Sequence, residues 1–520
     1  MTELFIHPLD VIQRVKQRFL ELTGIEDLEV QEEQVGPELF LCFTVGQDAP
    51  MYRRALGVIS RELGPESEFR GRLTLKIRGD KYTLKSEETQ LLNSLIAKSL
   101  RVTSDVATGD VAVEFVPFKG GEEQTISEPA NHVILGRRGV GKSSLILLAV
   151  GKVSSAGNVP VWVDLQPYNR RSEADCVAQV LRETLHLAGR RFRGADSSFQ
   201  RLLEPAAEPL TRLIERGSST EQDIRSAVPA VRGRVRDFTQ QSGKQVYVFL
   251  DDAHMISPEL QPLLFDAFHS VLKGAGGWLN VAGVKNLTRL YDSSRAVGLQ
   301  MPHDAQPVNL DLTLTDPGAA RDHLVAILEK FLSMCGIKRR LSIIPDRAIN
   351  RLVWCSAGVP RDFLWLFQRA MQHALQNRRS RIGVQEVNLA VGEFGQLKMD
   401  DLASDATENS ELLEAFLQRV QEKCLTEART NSFLARRTPR KRGYELLQKL
   451  VDLRLVHLLH PSITPGKAGE RYEAYLLDYS FYTGIRRRHG LSELTISSDS
   501  PPKYAELRSL PKIDIEALSD

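Results

Sequence analysis

The sequence predicts an α/β protein centred on a parallel sheet, with an α+β domain before it, an all-helical module after it and a helix-and-hairpin module near the carboxyl end. Three observations predict this. A glycine-rich loop, Gly136 to Ser143, sits between the short apolar strand HVIL and the apolar stretch SLILLAVGKV, which reads as a buried helix. A second β-rich strand, KQVYVFL, ends in the acid pair Asp251 and Asp252. Between them VPVWVDL reads as another strand, followed by helical spacing as in CVAQVLRETLHL, and strand, helix and strand in alternation imply parallel pairing.

Composition bounds the rest. At 520 residues, 42% hydrophobic and 26% charged, the chain is long enough for about three or four buried cores. A net charge of +2 leaves no field of one sign over the whole molecule, so any nucleic-acid contact must come from a local basic patch. The five cysteines, Cys42, Cys176, Cys335, Cys355 and Cys424, form no CxxC or Cys/His cluster. That argues against a disulfide framework or a structural zinc site and for a reducing cytoplasm. MTELFIHPLD lacks the basic start and apolar run of a signal peptide, and runs such as LILLAV are too short to cross a bilayer, so no membrane association is expected.

The front of the chain, residues 1–119, mixes helices (PLDVIQRVKQRFLELTG, TQLLNSLIAKSL) with strands (GRLTLKIRG, VAVEFVPF). It has no cluster of His, Cys or paired acids, so docking to a protein partner or a neighbouring subunit is its expected role. The next segment, 120–306, carries the chemistry. Gly136, Arg137, Arg138, Gly139, Val140, Gly141, Lys142 and Ser143 satisfy GxxxxGK[ST] at every fixed position, with Ser144 following in the helix. Glycines let backbone amides curl around phosphate oxygens at a helix amino terminus, where orphan amides and the helix dipole favour negative charge. Lys142 would reach the β- and γ-phosphates and Ser143 would ligate magnesium. Asp251 would hold the same Mg2+ through water, and Asp252 would orient the attacking water. SPEL, with Ser257 as cap and Pro258 in the first turn, is the expected start of the following helix, which frees the acids for chemistry.

The strand GGWLNVAGVKN ends near the polar Asn286, with Arg289 and Arg295 close behind. A helical module is expected over 307–398. Asp316 caps a helix before Pro317, SIIPDRAINRLVWCSAG is a second helix closed by Gly358, a third opens on Pro360 and Arg361, and IGVQEVNLAVGEF is a shorter fourth. KMDDLASDATENSE reads as a linker. In 399–490, two helices (SELLEAFLQRVQEKC, GYELLQKLVDLRLV) precede two strands (VHLLH, RYEAYLLD) joined by PSITPGKAGE. Residues 491–520, rich in Ser, Pro and charge, read as a flexible tail whose IDIEAL end is a frayed terminus or a short docking peptide.

From Asn131 to Asp478 this order resembles the AAA+ ATPases of the origin-recognition and initiator type. The resemblance implies a P-loop sheet domain binding ATP and Mg2+, an all-helical lid and a winged helix. It implies γ-phosphate sensing by Asn286, nucleotide contact by Arg361 in Gly358-Val359-Pro360-Arg361, and an arginine finger for a neighbouring subunit. Arg295 is the best match for the finger and Arg289 the second. ATP hydrolysis would then depend on self-association. The winged helix implies duplex DNA, for which Arg436, Arg437, Arg440, Lys441 and Arg442 stand just before its second helix, with Lys467 and Arg471 on the wing. One departure is the pair Asp251-Asp252 where the AAA+ pattern has Asp-Glu. A shorter second acid implies slower hydrolysis. It also resembles the STAND-type signalling ATPases, in which ATP drives assembly and effector recruitment without DNA, and that alternative stays open.

Overall fold

The computed structural model describes residues 8–25, 28–35, 38–46, 48–65, 67–77, 84–100, 116–117, 120–169, 171, 173–190, 197–405, 410–465, 470–483, 491–492, 494 and 502–519. The chain forms two compact units, one made of residues 117–311 with a short piece of the preceding segment, the other of the front of the chain together with everything from Leu312 onward.

The front of the chain contributes α1 (Pro8–Thr23), β1 (Glu29–Val35), β2 (Glu38–Val45), α2 (Pro50–Glu62), β3 (Leu73–Ile77) and α3 (Glu87–Ser99). β2 lies between antiparallel β1 and parallel β3. Phe19, Phe43 and Tyr52 meet behind it, with ring centroids 4.8 and 5.7 Å apart. The predicted strand VAVEFVPF falls almost wholly outside the described residues.

The unit around the glycine-rich loop is built from α4 (Glu122–Thr125), β4 (His132–Leu135), α5 (Lys142–Ser155), β5 (Val159–Asp164), α6 (Asp175–Arg190), α7 (Ser197–Arg216), α8 (Glu221–Ser242), β6 (Val246–Asp251), α9 (Gln261–Leu272), β7 (Gly277–Gly283), the two-residue strands β8 (Tyr291–Asp292) and β9 (Val297–Gly298), and β10 (Gln306–Asn309). Its five-stranded sheet runs β10-β4-β7-β6-β5 with every neighbour parallel. β6 is buried along its whole length, as the continuous apolar run of a central parallel strand requires. β10 corrects the expected boundary of the helical module, because residues 306–309 belong to the sheet. QPVN carries little strand signal, and Pro307 is tolerated because β10 is an edge. α9 begins at Gln261, not at Ser257: Ser257 O accepts from Leu260 N and Gln261 N in a turn before the helix proper.

The other unit continues with α10 (Pro317–Met334), α11 (Asp346–Ser356), α12 (Pro360–Gln376) and α13 (Val384–Asp405). Asp316 accepts from Ala319 N at 2.9 Å and caps α10. Gly358, at φ +81°, closes the turn into α12. A Cβ there would lie 2.2 Å from Leu312 O, so no other residue fits. α13 runs on to Asp405, into the first part of the stretch expected to be a linker, where Lys398 and Leu402 are buried; residues 406–409 of that stretch lie outside the described residues. The front of the chain is also not a separate domain. Leu91, Leu95 and Tyr52 share one apolar core with Leu328, Phe363 and Phe367 of these helices, and Gln368 Nε2 donates to Asn93 Oδ1 at 2.7 Å.

The carboxyl-terminal part contains α14 (Ser410–Gln421), which continues into a wider π-helical turn (Glu422–Glu427), then β11 (Ser432–Arg436), α15 (Arg442–Asp452), β12 (Val456–Ile463), β13 (Tyr472–Leu477), α16 (Tyr504–Arg508) and β14 (Lys512–Ile513). The sheet order is β12-β13-β11-β14. Helices followed by a hairpin are as expected for a winged helix. β11 was hidden at the front of the basic run, and the tail expected to be flexible is docked over 502–519. Leu507, Ile513, Ile515 and Leu518 are all buried. Buried charge joins this part to the helical module: Lys398 Nζ donates to Asp478 Oδ2 at 2.6 Å, His457 Nε2 lies 2.8 Å from the same oxygen, and Arg454 pairs with Asp362.

Candidate nucleotide site

The carboxyl ends of five parallel strands share one edge of the sheet, and there the glycine-rich loop leaves β4, the acid pair leaves β6 and the turn holding Asn286 leaves β7. β7 lies between β4 and β6, so that turn emerges between the loop and the acids.

Gly139 and Gly141 take φ of 82° and 105°, the left-handed backbone that lets the loop wrap the start of α5. At Gly136 a Cβ would sit 2.7 Å from Val140 Cγ2, so the loop closes only without a side chain there. Lys142 is buried, its ammonium donating to Gly136 O at 2.9 Å and Arg137 O at 3.1 Å. The side chain therefore folds back across the mouth of the loop. Ser143 lies in the first turn of α5 and favours the ionised form of the Asp251 carboxyl, so the two groups expected to share a magnesium ion fall in one neighbourhood. This donor set, a hydroxyl and a buried carboxylate beside a lysine and a helix amino terminus, fits Mg2+ and a nucleotide polyphosphate.

Electrostatics mark the same place. Burial, with the neighbouring Asp252 charge adding to it, pushes the Asp251 carboxyl up to about 6, against the pull of Ser143 and Lys142. A buried carboxylate held beside a second acid gains from a cation. Asp252 is half-buried and sits at φ 52°, a left-handed conformation costing about 1–2 kcal/mol in a non-glycine residue.

Two residues of this site carried no motif. Asp311, just past β10, accepts from both Arg137 N (2.9 Å) and Arg137 Nε (3.2 Å) through Oδ1. Arg137, expected among the phosphate contacts, is buried and holds the loop to Asp311 through that pair. His254 has its Nδ1 buried without a hydrogen-bond partner, 4.0 Å from Asp252 Oδ1. Burial lowers the imidazole to about 4, with Arg138 and Lys142 pushing the same way and Asp252 opposing, so it is neutral. The sequence signal for His254 was its place directly after the acids.

The remaining expected residues divide. Val140 is buried, while Arg138 and Ser144 are half-buried at the loop and the first turn of α5. Asn286 is exposed in its turn. Arg295 is engaged within its own unit: Nε meets Asp292 Oδ2 at 2.8 Å, Nη1 meets Glu221 Oε2 at 3.1 Å and Nη2 donates to Glu259 O at 2.8 Å. Arg289 is more exposed and pairs with Asp292 at 3.2 Å. Arg361 is exposed in the first turn of α12, in the other unit. Arg436, Arg437, Arg440, Lys441, Arg442 and Arg471 are all exposed, and Arg437 N donates to Arg471 O at 3.0 Å, which joins the end of β11 to the start of β13. Lys467 lies outside the described residues.

A parallel sheet in this strand order, with a phosphate loop after β4 and acids after β6, decides the fold. The core is a P-loop fold. No family model matches the chain, and no curated protein does. Among solved structures it is similar to the Orc1 protein of Aeropyrum pernix in complex with DNA, at 14% identity over 72% of this chain and 92% of that one, TM-score 0.38. Drosophila ORC bound to DNA gives 12% identity over 82% and 97%, TM-score 0.37. The Walker-type ATPase PABY2304 of Pyrococcus abyssi gives 15% over 69% and 95%, TM-score 0.41. Among the described residues, no helix is long and apolar enough to cross a membrane.

Proposed function

We propose that this AAA+ chain is an ATP-driven switch that assembles with itself and engages duplex DNA through its winged helix, thereby loading or controlling a partner. The observation that carries the reading is the glycine loop at the start of α5, with Gly139 and Gly141 in the left-handed backbone and Lys142 buried across it, at the same edge of the parallel sheet as the buried Asp251. Lys142 would turn from the carbonyl oxygens of Gly136 and Arg137 to meet the β- and γ-phosphates. Ser143 and Asp251 would hold Mg2+, which neutralises phosphate charge when bound. Asp252 accepts a proton from, or orients, the attacking water. Asn286 is the proposed γ-phosphate sensor, Arg361 the nucleotide contact from the lid, and an arginine of a neighbouring subunit the finger. A finger at Arg295 must first leave Asp292, Glu221 and Glu259, which makes assembly a condition of turnover. The exposed cations from Arg436 to Arg442 and Arg471 are the proposed phosphate contacts on DNA.

The Asp251-Asp252 pair favours a second reading, a STAND-like switch in which ATP drives assembly without DNA. ATP hydrolysis measured across protein concentration, with and without duplex DNA and with Lys142→Ala as the blank, separates the two. A rate that rises with DNA and falls on dilution is the expected result. ATP held without turnover and indifferent to DNA rejects the DNA-dependent reading.

A further inference from the structure

The carboxyl-terminal strap is seated on the surface that the proposed function gives to DNA. Lys512 and Ile513 pair in parallel with Leu434 and Ala435 of β11, and Ile515 and Leu518 insert into the core under α14 and α15. The strap then crosses the amino terminus of α15. Glu516 Oε2 accepts from Gly443 N at 2.9 Å, and Oε1 accepts from Thr438 Oγ1 at 2.7 Å. A Cβ on Gly443 would fall 2.3 Å from Ile515 O, so the approach is as close as a glycine permits. Arg436, Arg437, Arg440, Lys441 and Arg442, all exposed, surround this point.

We propose that the strap is a built-in competitor of nucleic acid, its Glu516 carboxylate standing where a backbone phosphate of duplex DNA would take the first-turn amide of α15. This rests on the DNA reading above and adds its regulation. An amide at a helix amino terminus, a hydroxyl beside it and flanking cations are the donors by which proteins fix a DNA phosphate. Here those donors are already filled by an anion of the same chain, while Arg440, Lys441 and Arg442 stand exposed around it and Arg436 and Arg437 lean on Glu470 and Glu473 at 3.9 and 3.6 Å. The strap is held by the edge pairing of Lys512 and Ile513, the buried Ile513, Ile515 and Leu518, the Glu516 carboxylate, a hydrogen bond from Arg419 to Leu518 O at 2.8 Å and Lys512 over the Tyr472 ring, and the proposal requires a polyanion that engages several cations at once to displace it.

Two full-length variants test it by opposite chemistry. Glu516→Gln removes the charge and keeps an acceptor for Gly443 N. Gly443→Ala keeps every charge and drives Ile515 away, with alanine favoured inside a helix. Affinity for a fluorescein-labelled 20-base-pair duplex is read by anisotropy over a salt series, with melting temperatures confirming that each variant is folded. Both variants are expected to bind about threefold to tenfold more tightly than wild type at low salt. The salt slope should steepen by about one phosphate contact. Hydrogen exchange of residues 512–518 in the wild type should accelerate when the duplex is added. If the folded variants bind like wild type, while Arg437→Ala/Lys441→Ala/Arg442→Ala abolishes binding, the strap is only a structural strand and the proposal falls with the DNA reading intact. If Gly443→Ala unfolds, Glu516→Gln alone decides. If no variant nor the wild type binds duplex at low salt, the DNA reading fails and takes the proposal with it.

Discussion

The starts of α5 and α15 are two helix amino termini with opposite fates. At α5 the loop glycines take the left-handed backbone, Lys142 rests on carbonyl oxygens, and Asp251 is buried at cost. At α15 the chain supplies its own anion, and Glu516 satisfies both Gly443 N and Thr438. The same orphan amides and the same dipole thus make an open ligand site in one unit and a closed contact in the other. What differs is whether a carboxylate from elsewhere in the chain reaches them.

The largest expected effect breaks the open site from below. Asp251→Asn removes the buried charge, so Mg2+-dependent ATP hydrolysis should fall by about a hundredfold or more. Without nucleotide, the same change should raise the melting temperature at pH 8 by about 2–4 °C, since an ionised buried carboxylate no longer has to be kept. A loss of activity with a lower melting temperature would show that Asp251 is a structural acid. Asp311→Ala is expected to be milder. Freed from Arg137 N and Nε, the loop loses its anchor, and nucleotide affinity measured calorimetrically should drop about tenfold.

Acid sharpens the comparison further, because the two units should respond with opposite sign. Although burial opposes it, the pairing with Lys398 and His457 holds Asp478 well below the usual carboxylate range. Its folded-state value is depressed, so its stabilisation is present above the unfolded value of 3.8 and fades as pH falls below that. Asp251 is raised, so protonation favours the folded form, and between about 6 and 3.8 its contribution grows as pH falls. Hydrogen exchange at pH 3 should therefore loosen α13 and β13 before β6. Equal loosening would refute the contrast.

The phosphate site was legible because its chemistry fixes both residue types and spacing within eight positions, and the acids announce themselves at the end of an apolar strand. Asp311 was not legible, since it reaches Arg137 from 174 residues away and belongs to no motif. The strap was missed for another reason. Its Ser, Pro and charge content reads as solvated chain, and two residues of strand give no periodicity to detect. Only the alternation of Ile513 and Ile515 hinted at a buried side. The extension of α13 escaped because KMDD is polar, yet Lys398 is buried by an ion pair that only the folded carboxyl-terminal part provides.

The shared core of the first hundred residues with the lid has a consequence for synthesis. Asn93 and its partner Gln368 are 275 residues apart, so the earliest part of the chain to leave the ribosome cannot finish burying its apolar face until most of the protein has been made. At about 5–20 residues per second, that wait is on the order of 15–55 s. Through that interval the nascent amino terminus is a natural client for a holding chaperone, and a transcript cut short before the lid would leave its product sticky.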